Sequence, residues 1–167
     1  MPPSSLIGAP KTAVDTPALL VDLDIMEGNI RRVMEVCRAN GVGWRPHTKG
    51  QKTVEIIQKE LAAGAIGMTC AKLSEAEVLA ANGVRDILIH NQIVGPAKTE
   101  RLAALTAIAD PIVTVDSIVH VEQLAAAMHG DARRWAEAAR GDRGGYRHAS
   151  CRRAARRARG VIGPHDR

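Results

Sequence analysis

The chain has 167 residues, of which 46% are hydrophobic and 2% aromatic, and its formal net charge is +5. This length suits one domain, and so few aromatic rings exclude most base-stacking platforms for nucleic acid. No apolar run approaches the roughly 20 residues of a membrane span, and the first residues lack the pattern of a secretory signal. Cys37, Cys70 and Cys151 have no metal-like spacing, so we expect a reduced, cytoplasmic protein.

The basic charge is confined to the end of the chain. Residues 1–130 hold 12 basic and 14 acidic residues, whereas residues 131–167 hold 11 arginines and only 4 acidic residues. Val161 and Ile162 are the only large aliphatic residues after position 130. Such a segment cannot bury enough apolar surface to offset its chain entropy. We therefore predict an α/β unit over 1–130 and an Arg/Ala/Gly-rich tail without a stable fold over 131–167.

The first element predicted in chain order is a short strand at Thr16–Asp22, which is opened by proline and closed by acids. Asp24 and Glu27, three residues apart, then predict a capping box at a helix start. Gly41 is placed to end that helix, because a left-handed cap needs no Cβ. The apolar face of this helix is predicted from Met26, Ile30, Val33 and Cys37.

A strand–helix alternation then repeats. Strands are predicted at Val42–His47, Ala65–Ala71, Asp86–Asn91 and Pro111–Asp116. Helices are predicted at 52–63 and from a Ser74/Glu77 capping box to Gly83. A third helix starts at Gly95–Pro96 and turns Leu102, Leu105 and Ile108 to one side. The last has Ile118, Val121, Leu124 and Met128 on its apolar face. Continuous apolar strands between helices indicate a parallel sheet. A β/α barrel and an open doubly wound sheet both fit this pattern, although no GxGxxG motif follows the first strand.

Polar side chains cluster where the predicted strands end, which is where parallel α/β folds place their active sites. They are Arg45, His47, Thr48 and Lys49; Thr69, Cys70 and Lys72; His90, Asn91 and Gln92; and Asp116. A lysine at this position whose pKa is lowered by burial and nearby cations can condense with an aldehyde, and His47 can move a proton. The alternative is that Lys49 and Lys52 are ordinary solvated residues at a helix start, which is the commoner outcome for this spacing. The histidines show no ligand spacing, so no metal site is predicted.

Three segments make the sequence recognisable: TPALLVDLDIMEGNI, WRPHTKGQKT and AGAIGMTCAKLSEAEVLAANGVRDILIHNQIVG. They resemble the N-terminal part of the D-threonine aldolase and D-serine dehydratase-like family over about residues 14–128. The resemblance implies a pyridoxal-phosphate enzyme with a (β/α)8 TIM-type barrel of the alanine racemase kind, here partial. It implies that the strand at Thr16–Asp22 pairs with a separate C-terminal β domain and that the barrel strands start at Val42.

The resemblance further implies that Lys49 holds the cofactor. His47 and Asn91, at the ends of predicted strands, are further candidate cofactor contacts; the alternatives are a structural hydrogen bond for His47 and a loop cap for Asn91. Gly50-Gln51 stands where the family often has Thr-His.

The resemblance also implies a substrate class and a reaction. The family acts on small D-3-hydroxy amino acids, by retro-aldol cleavage to glycine and an aldehyde or, in the dehydratase variant, by loss of the β-hydroxyl. A divalent metal serves the family as a Lewis acid, but nothing in residues 131–167, including His165-Asp166, matches its site. We therefore expect this chain to be a fragment that is inactive alone, with no membrane partner. Whether the parent enzyme is a dimer stays open.

Two hypotheses account for the arginine-rich tail. An Arg/Ala/Gly composition is typical of GC-rich coding DNA read in a shifted frame, so the ancestral reading frame is hypothesised to be lost near Gly130. The alternative is a basic tail that binds nucleic acid through its phosphates. In a helix, Arg152, Arg153, Arg156 and Arg157 would share one face.

Overall fold

The computed structural model describes residues 6–128 and the backbone of residues 147–150. The helices are α1 (Leu23–Ala39), α2 (Val54–Ala63), α3 (Leu73–Ala81), α4 (Pro96–Leu105) and α5 (Ile118–Ala127), preceded by a 3-10 turn at Lys11–Ala13. The strands are β1 (Met68–Cys70), β2 (Asp86–Ile89), β3 (Asp110–Val115) and β4 (Arg147–Ser150). Within these residues no helix has the length and apolar character needed to cross a membrane. The predictions for positions 129–146 and 151–167 lie outside the described residues.

The four strands form one sheet in the order β1-β2-β3-β4. The first three run parallel, with Met68 opposite Ile87 and Ile87 opposite Pro111. This sequential order, with a helix in each connection, is typical of a β/α barrel, whereas strand order reverses at the switch point of a doubly wound sheet. The predicted partial barrel is thereby confirmed. One strand was not predicted: β4 lies in the arginine-rich tail and pairs antiparallel with β3.

The hydrophobic core lies between the parallel strands and their helices. Strand side chains on this face are fully or almost fully buried: Met68, Cys70, Ile87, Ile89, Val113 and Val115. They pack with Leu79, Leu102, Leu105, Val121 and Leu124 from the helices. Because side chains alternate along a strand, Thr69, Leu88 and Ile112 project from the opposite face, where Leu88 and Ile112 are half-buried. That second face leads to the polar residues at the ends of the strands.

The strand predicted at Thr16–Asp22 does not form within the described residues, which do not include the separate C-terminal β domain that the resemblance gives it as a partner. These residues form no ladder with any described strand, and Leu19, Leu20 and Val21 are exposed. The predicted cap at Asp24 is wrong by two residues: Asp22 is the N-cap of α1, and its carboxylate accepts a hydrogen bond from Ile25 N at 3.1 Å. The predicted capping partner Glu27 instead forms an ion pair with Lys59 of α2. The cap is at Asp22 because α1 begins at Leu23, so the Asp22 carboxylate is the one that reaches the free N–H groups of the first turn.

The predicted strand at Val42–His47 is reduced to one isolated bridge between His47 and Thr69. The segment still runs along β1, because Trp44 O accepts from Ile66 N at 2.9 Å and Pro46 O accepts from Thr69 N at 2.8 Å. Pro46 has no N–H to donate, so the regular ladder is interrupted there. The position of the segment is as predicted, and its regular pairing is not.

Two details of the later helices also differ from prediction. The start of α3 is capped by Glu75, whose carboxylate accepts from Ala71 N and Lys72 N, and the predicted Ser74/Glu77 box is absent. Glu77 bonds Arg101 on α4 instead. Ile108, predicted to face inward, is 53% exposed because α4 ends at Leu105. The predicted start of α4 at Gly95–Pro96 is confirmed.

Candidate functional site

The segment Pro46–Lys49 is fixed at the carboxyl end of β1. Thr48 is buried, and its N–H donates to the Thr69 carbonyl at 2.8 Å. The following residue, Lys49, is exposed at this edge of the sheet. The fold therefore places the Lys49 backbone at the rim predicted from the sequence, with the side chain exposed there rather than buried.

His47 and His90 meet at this rim. Their ring centroids are 6.1 Å apart and the rings are inclined at 71°, an edge-to-face arrangement. The contact follows from register: His47 pairs with Thr69, and His90 N donates to Cys70 O at 2.9 Å, which extends β2 along β1. Sequence reasoning placed both residues at strand ends but did not predict the contact, because it depends on the register between strands.

The protonation of His47 is set by its neighbour. Lys49 N–H donates to His47 Nδ1 at 3.2 Å, so the neutral ring carries its proton on Nε2. That Nε2 atom is buried and has no hydrogen-bond partner among the described residues. Since a buried donor without a partner is costly, this atom is suited to an acceptor atom of a bound molecule.

The pKa of His47 is lowered from its ordinary 6.5, first by burial and then by the nearby charges of Lys49 and His90. The neutral ring is thus favoured in the folded protein, and the unfolded chain binds more protons as the pH falls below 6.5. The contribution of His47 to stability is fully present above this value and is lost as the pH falls through the lower, folded pKa.

We expect the free energy of unfolding to fall between about pH 7.5 and about pH 5.5, and His47→Gln to reduce this dependence. Denaturant titrations of both proteins at the two pH values measure it. Glutamine does not titrate. If the free energy of unfolding fell as much between the two pH values in His47→Gln as in the natural chain, His47 would not be the group responsible. His90→Gln removes one of the charges that lower the pKa of His47, so it should reduce the pH dependence by less than His47→Gln does.

Glu75 is a residue of this region that sequence reasoning missed. One carboxylate oxygen lies 3.1 Å from Lys52 Nζ, and the other accepts from Ala71 N at 2.8 Å. These bonds lower the pKa of Glu75 against the opposing effect of burial. Its position in the first turn of α3 was the available signal, since acidic residues there accept from free N–H groups. Glu75 thereby ties Lys52 and the end of β1 to α3.

The remaining predicted residues divide into those at the rim and those turned away. Asn91 is exposed and forms no hydrogen bond with His47 or Lys49 in the described structure. Gln92 donates to Asp116 at 3.0 Å, which links the ends of β2 and β3. Cys70 is buried, which raises the pKa of its thiol to about 12 and leaves it unreactive.

Arg45 is not part of the rim, although the sequence placed it there. Its guanidinium forms an ion pair with Asp86 at the opposite, amino-terminal end of β2, with an Nη2–Oδ2 distance of 3.2 Å. The side chain passes over Gly67 to reach this carboxylate. Arg45 therefore anchors the segment before His47 and does not face a ligand at the rim.

The described residues offer cations rather than a metal site. No group of three or more His, Cys, Asp or Glu side chains in the described part of the chain is arranged to hold a metal ion. By contrast, Lys49 and Lys72 are exposed lysines at the ends of the segment Pro46–Lys49 and of β1, whereas Lys52 is paired with Glu75 at 3.1 Å. Exposed lysines in this position suit an anionic ligand.

The family model described as "Alanine racemase, N-terminal domain" matches residues 21–163, which extends into the arginine-rich segment. D-threonine aldolase of Arthrobacter sp is 41% identical over 128 residues, which cover 77% of this chain and 34% of that protein. 3-hydroxy-D-aspartate aldolase of Paracoccus denitrificans (strain Pd 1222) is 37% identical over 125 residues, 74% of this chain and 32% of that protein. The chain thus spans about a third of these relatives.

Solved structures of the same kinds of enzyme also match this chain over about a third of their length. The crystal structure of D-threonine aldolase from Filomicrobium marinum matches with a TM-score of 0.68 and 42% identity, over 70% of this chain and 31% of that one. D-threo-3-hydroxyaspartate dehydratase from Delftia sp. HT23 matches with a TM-score of 0.63 and 37% identity, over 68% of this chain and 30% of that one.

Proposed function

Because this chain belongs to the family of the alanine racemase N-terminal domain, we propose that it carries the cofactor lysine of a pyridoxal-phosphate lyase acting on D-3-hydroxy amino acids. The proposed reaction is D-threonine aldolase-like: retro-aldol cleavage to glycine and an aldehyde. The similarity to D-threonine aldolases, at 41% and 42% identity, supports this substrate class. Because the chain spans about a third of those proteins, the part of the activity proposed for these residues is binding of the cofactor.

The buried, unpartnered Nε2 of His47 is the observation that carries the proposal. Pyridoxal phosphate is rich in acceptor oxygens, and a neutral imidazole with its proton on Nε2 can donate to one of them. The cations of the rim suit its phosphate group, and an amine in the same cluster suits its aldehyde. The residues at the rim therefore fit this cofactor.

Each residue of the rim has a role in the proposed site. Lys49 would hold the cofactor through its amine, and Thr48, through its hydrogen bond to Thr69 O at 2.8 Å, fixes the backbone from which that amine projects. His47 would orient the cofactor through Nε2–H while its Nδ1 stays bonded to Lys49 N. When bound, the cofactor supplies an electron sink for negative charge at the substrate Cα. Asn91, exposed at the end of β2, is proposed as a further contact.

A dehydratase is the second candidate function. D-threo-3-hydroxyaspartate dehydratase of Delftia sp. (strain HT23) is 37% identical over 113 residues, the same identity as the 3-hydroxy-D-aspartate aldolase over a shorter match. Both candidate functions require the same thing of the rim residues, which is that one lysine holds the cofactor. We place the aldolase first because two aldolases match over more residues.

Titration of the full chain with pyridoxal phosphate, followed by visible absorbance, tests the proposal. We expect saturable binding by the natural chain, and binding at least about tenfold weaker for Lys49→Ala, because the amine that condenses with the aldehyde is removed. Lys11→Ala, which removes an exposed lysine in the 3-10 turn before α1, is the control for loss of one positive charge and should bind as the natural chain does.

Circular dichroism of both variants is used to check that each keeps the fold. Equal weakening by the two substitutions would mean that the cofactor is attracted only by positive charge. Undiminished binding by Lys49→Ala would contradict the proposal directly.

A further inference from the structure

A second concave region lies on the outside of the fold, between α1, α2 and the segment before β1. The groove has a volume of about 440 Å³, within the range of small-molecule clefts. Its lining is mostly apolar and includes Leu20, Val21, Ile25, Val33, Trp44 and Ile56. Leu20, Val21 and Ile25 are more than half exposed, so the groove is open to solvent along one side.

One carboxyl group in this groove lacks a partner. Glu60 of α2 is only 8% exposed, and its Oε2 has no hydrogen-bond partner among the described residues. The lysine next to it, Lys59, is already paired with Glu27 at 2.5 Å. Burial raises the pKa of Glu60, and no cation among the described residues lies close enough to oppose this effect. A buried carboxyl without a cation or donor is costly, because its lost hydration is not replaced.

The charge in the groove specifies the kind of ligand. Asp22 is the other acidic residue in the lining, and none of the described residues that line the groove is basic. Asp22 already accepts a hydrogen bond from Ile25 N, which leaves Glu60 as the unused acceptor. An apolar channel with one buried acceptor is complementary to a molecule with a hydrocarbon body and one cationic donor group.

We propose that this groove binds a small amphipathic monoamine, with its ammonium group on Glu60 and its hydrocarbon body against Ile25, Val33 and Trp44. The ammonium N–H groups supply the donors and the charge that Oε2 lacks. The apolar body covers side chains that are now in water. This site is separate from the cofactor rim and does not depend on the function proposed there.

Trp44 lines the groove and serves as the reporter. The full chain, with Trp135→Phe so that Trp44 is its single tryptophan, is titrated with n-hexylammonium chloride, hexan-1-ol and sodium hexanoate while fluorescence is recorded. We expect a saturable change with n-hexylammonium and binding at least about tenfold weaker for the alcohol, because a charge-assisted hydrogen bond is lost. Hexanoate should bind more weakly still.

Glu60→Gln separates the carboxylate from the shape of the groove. Glutamine has the same size and needs no buried charge, so the variant is expected to fold, and circular dichroism checks this. It should bind n-hexylammonium about tenfold more weakly, and no better than hexan-1-ol. Asp24→Asn, which removes an exposed carboxylate outside the lining, should leave binding unchanged.

Equal affinity for the amine and the alcohol in the natural chain would overturn the proposal, because the groove would then be only an apolar surface. Unchanged amine binding by Glu60→Gln, or the absence of any saturable change, would also overturn it.

Discussion

Replacing Gly67 by alanine is expected to lower the free energy of unfolding by about 2–4 kcal/mol. Gly67 has a φ of +156°, and a Cβ there would lie 2.5 Å from the Asp86 carbonyl oxygen and 2.9 Å from the Asp86 Cβ. It would also meet the Arg45 guanidinium, which crosses Gly67 to bind Asp86. The substitution thus crowds both the backbone of β2 and the anchor of the segment that precedes His47.

Binding of pyridoxal phosphate should weaken together with stability in this variant, because Arg45 holds the segment that leads to Lys49. Denaturant unfolding and cofactor titration measure the two effects. Gly28→Ala is the control: Gly28 lies inside α1, where an added Cβ meets only an Arg31 nitrogen at 3.8 Å. Alanine there should raise stability by roughly 0.5–1 kcal/mol. A Gly67→Ala protein as stable as the natural chain would contradict the packing described here.

The second large effect is expected for Leu102→Ala, at about 2–5 kcal/mol of lost stability. Leu102 on α4 has no exposed surface and packs in the core behind the parallel strands, so the smaller side chain leaves a cavity. Ile108→Ala is the matched control. Ile108 is 53% exposed and lies beyond the end of α4, so its loss should change stability by less than about 1 kcal/mol.

Denaturant unfolding of both variants distinguishes two expectations. The hydrophobic pattern of the sequence places Leu102 and Ile108 on the same buried face, whereas the structure buries only Leu102. Similar losses in the two variants would support the pattern and contradict the helix end at Leu105.

The sequence predicted those features that depend on neighbouring residues. The alternation of apolar strands and helices predicted the parallel sheet, and Gly95–Pro96 predicted the start of α4. Gly64 takes a left-handed φ of 114° at the end of α2, as its position after the apolar run predicts. The order of the strands also placed His47, Lys49 and His90 at the same edge, because parallel strands end together.

The features that were missed depend on residues distant in the chain. A strand at Thr16–Asp22 needs a partner, and no described strand pairs with it. The hydrogen bonding of Val42–His47 depends on the N–H that Pro46 lacks. Arg45 was placed with the rim residues because it is adjacent to them in sequence, yet its charge is met by Asp86, 41 positions away. Burial of Glu60 likewise arises from the packing of α1 against α2.

The cofactor itself gives the most direct test that Lys49 is the residue that holds it. The full chain is mixed with pyridoxal phosphate, reduced with borohydride and digested, and the modified lysine is identified by mass spectrometry. The proposed site predicts that the label is concentrated on Lys49, with little on Lys52 or Lys72. A label shared among the exposed lysines, or concentrated on Lys52, would contradict the assignment of this rim as the cofactor site.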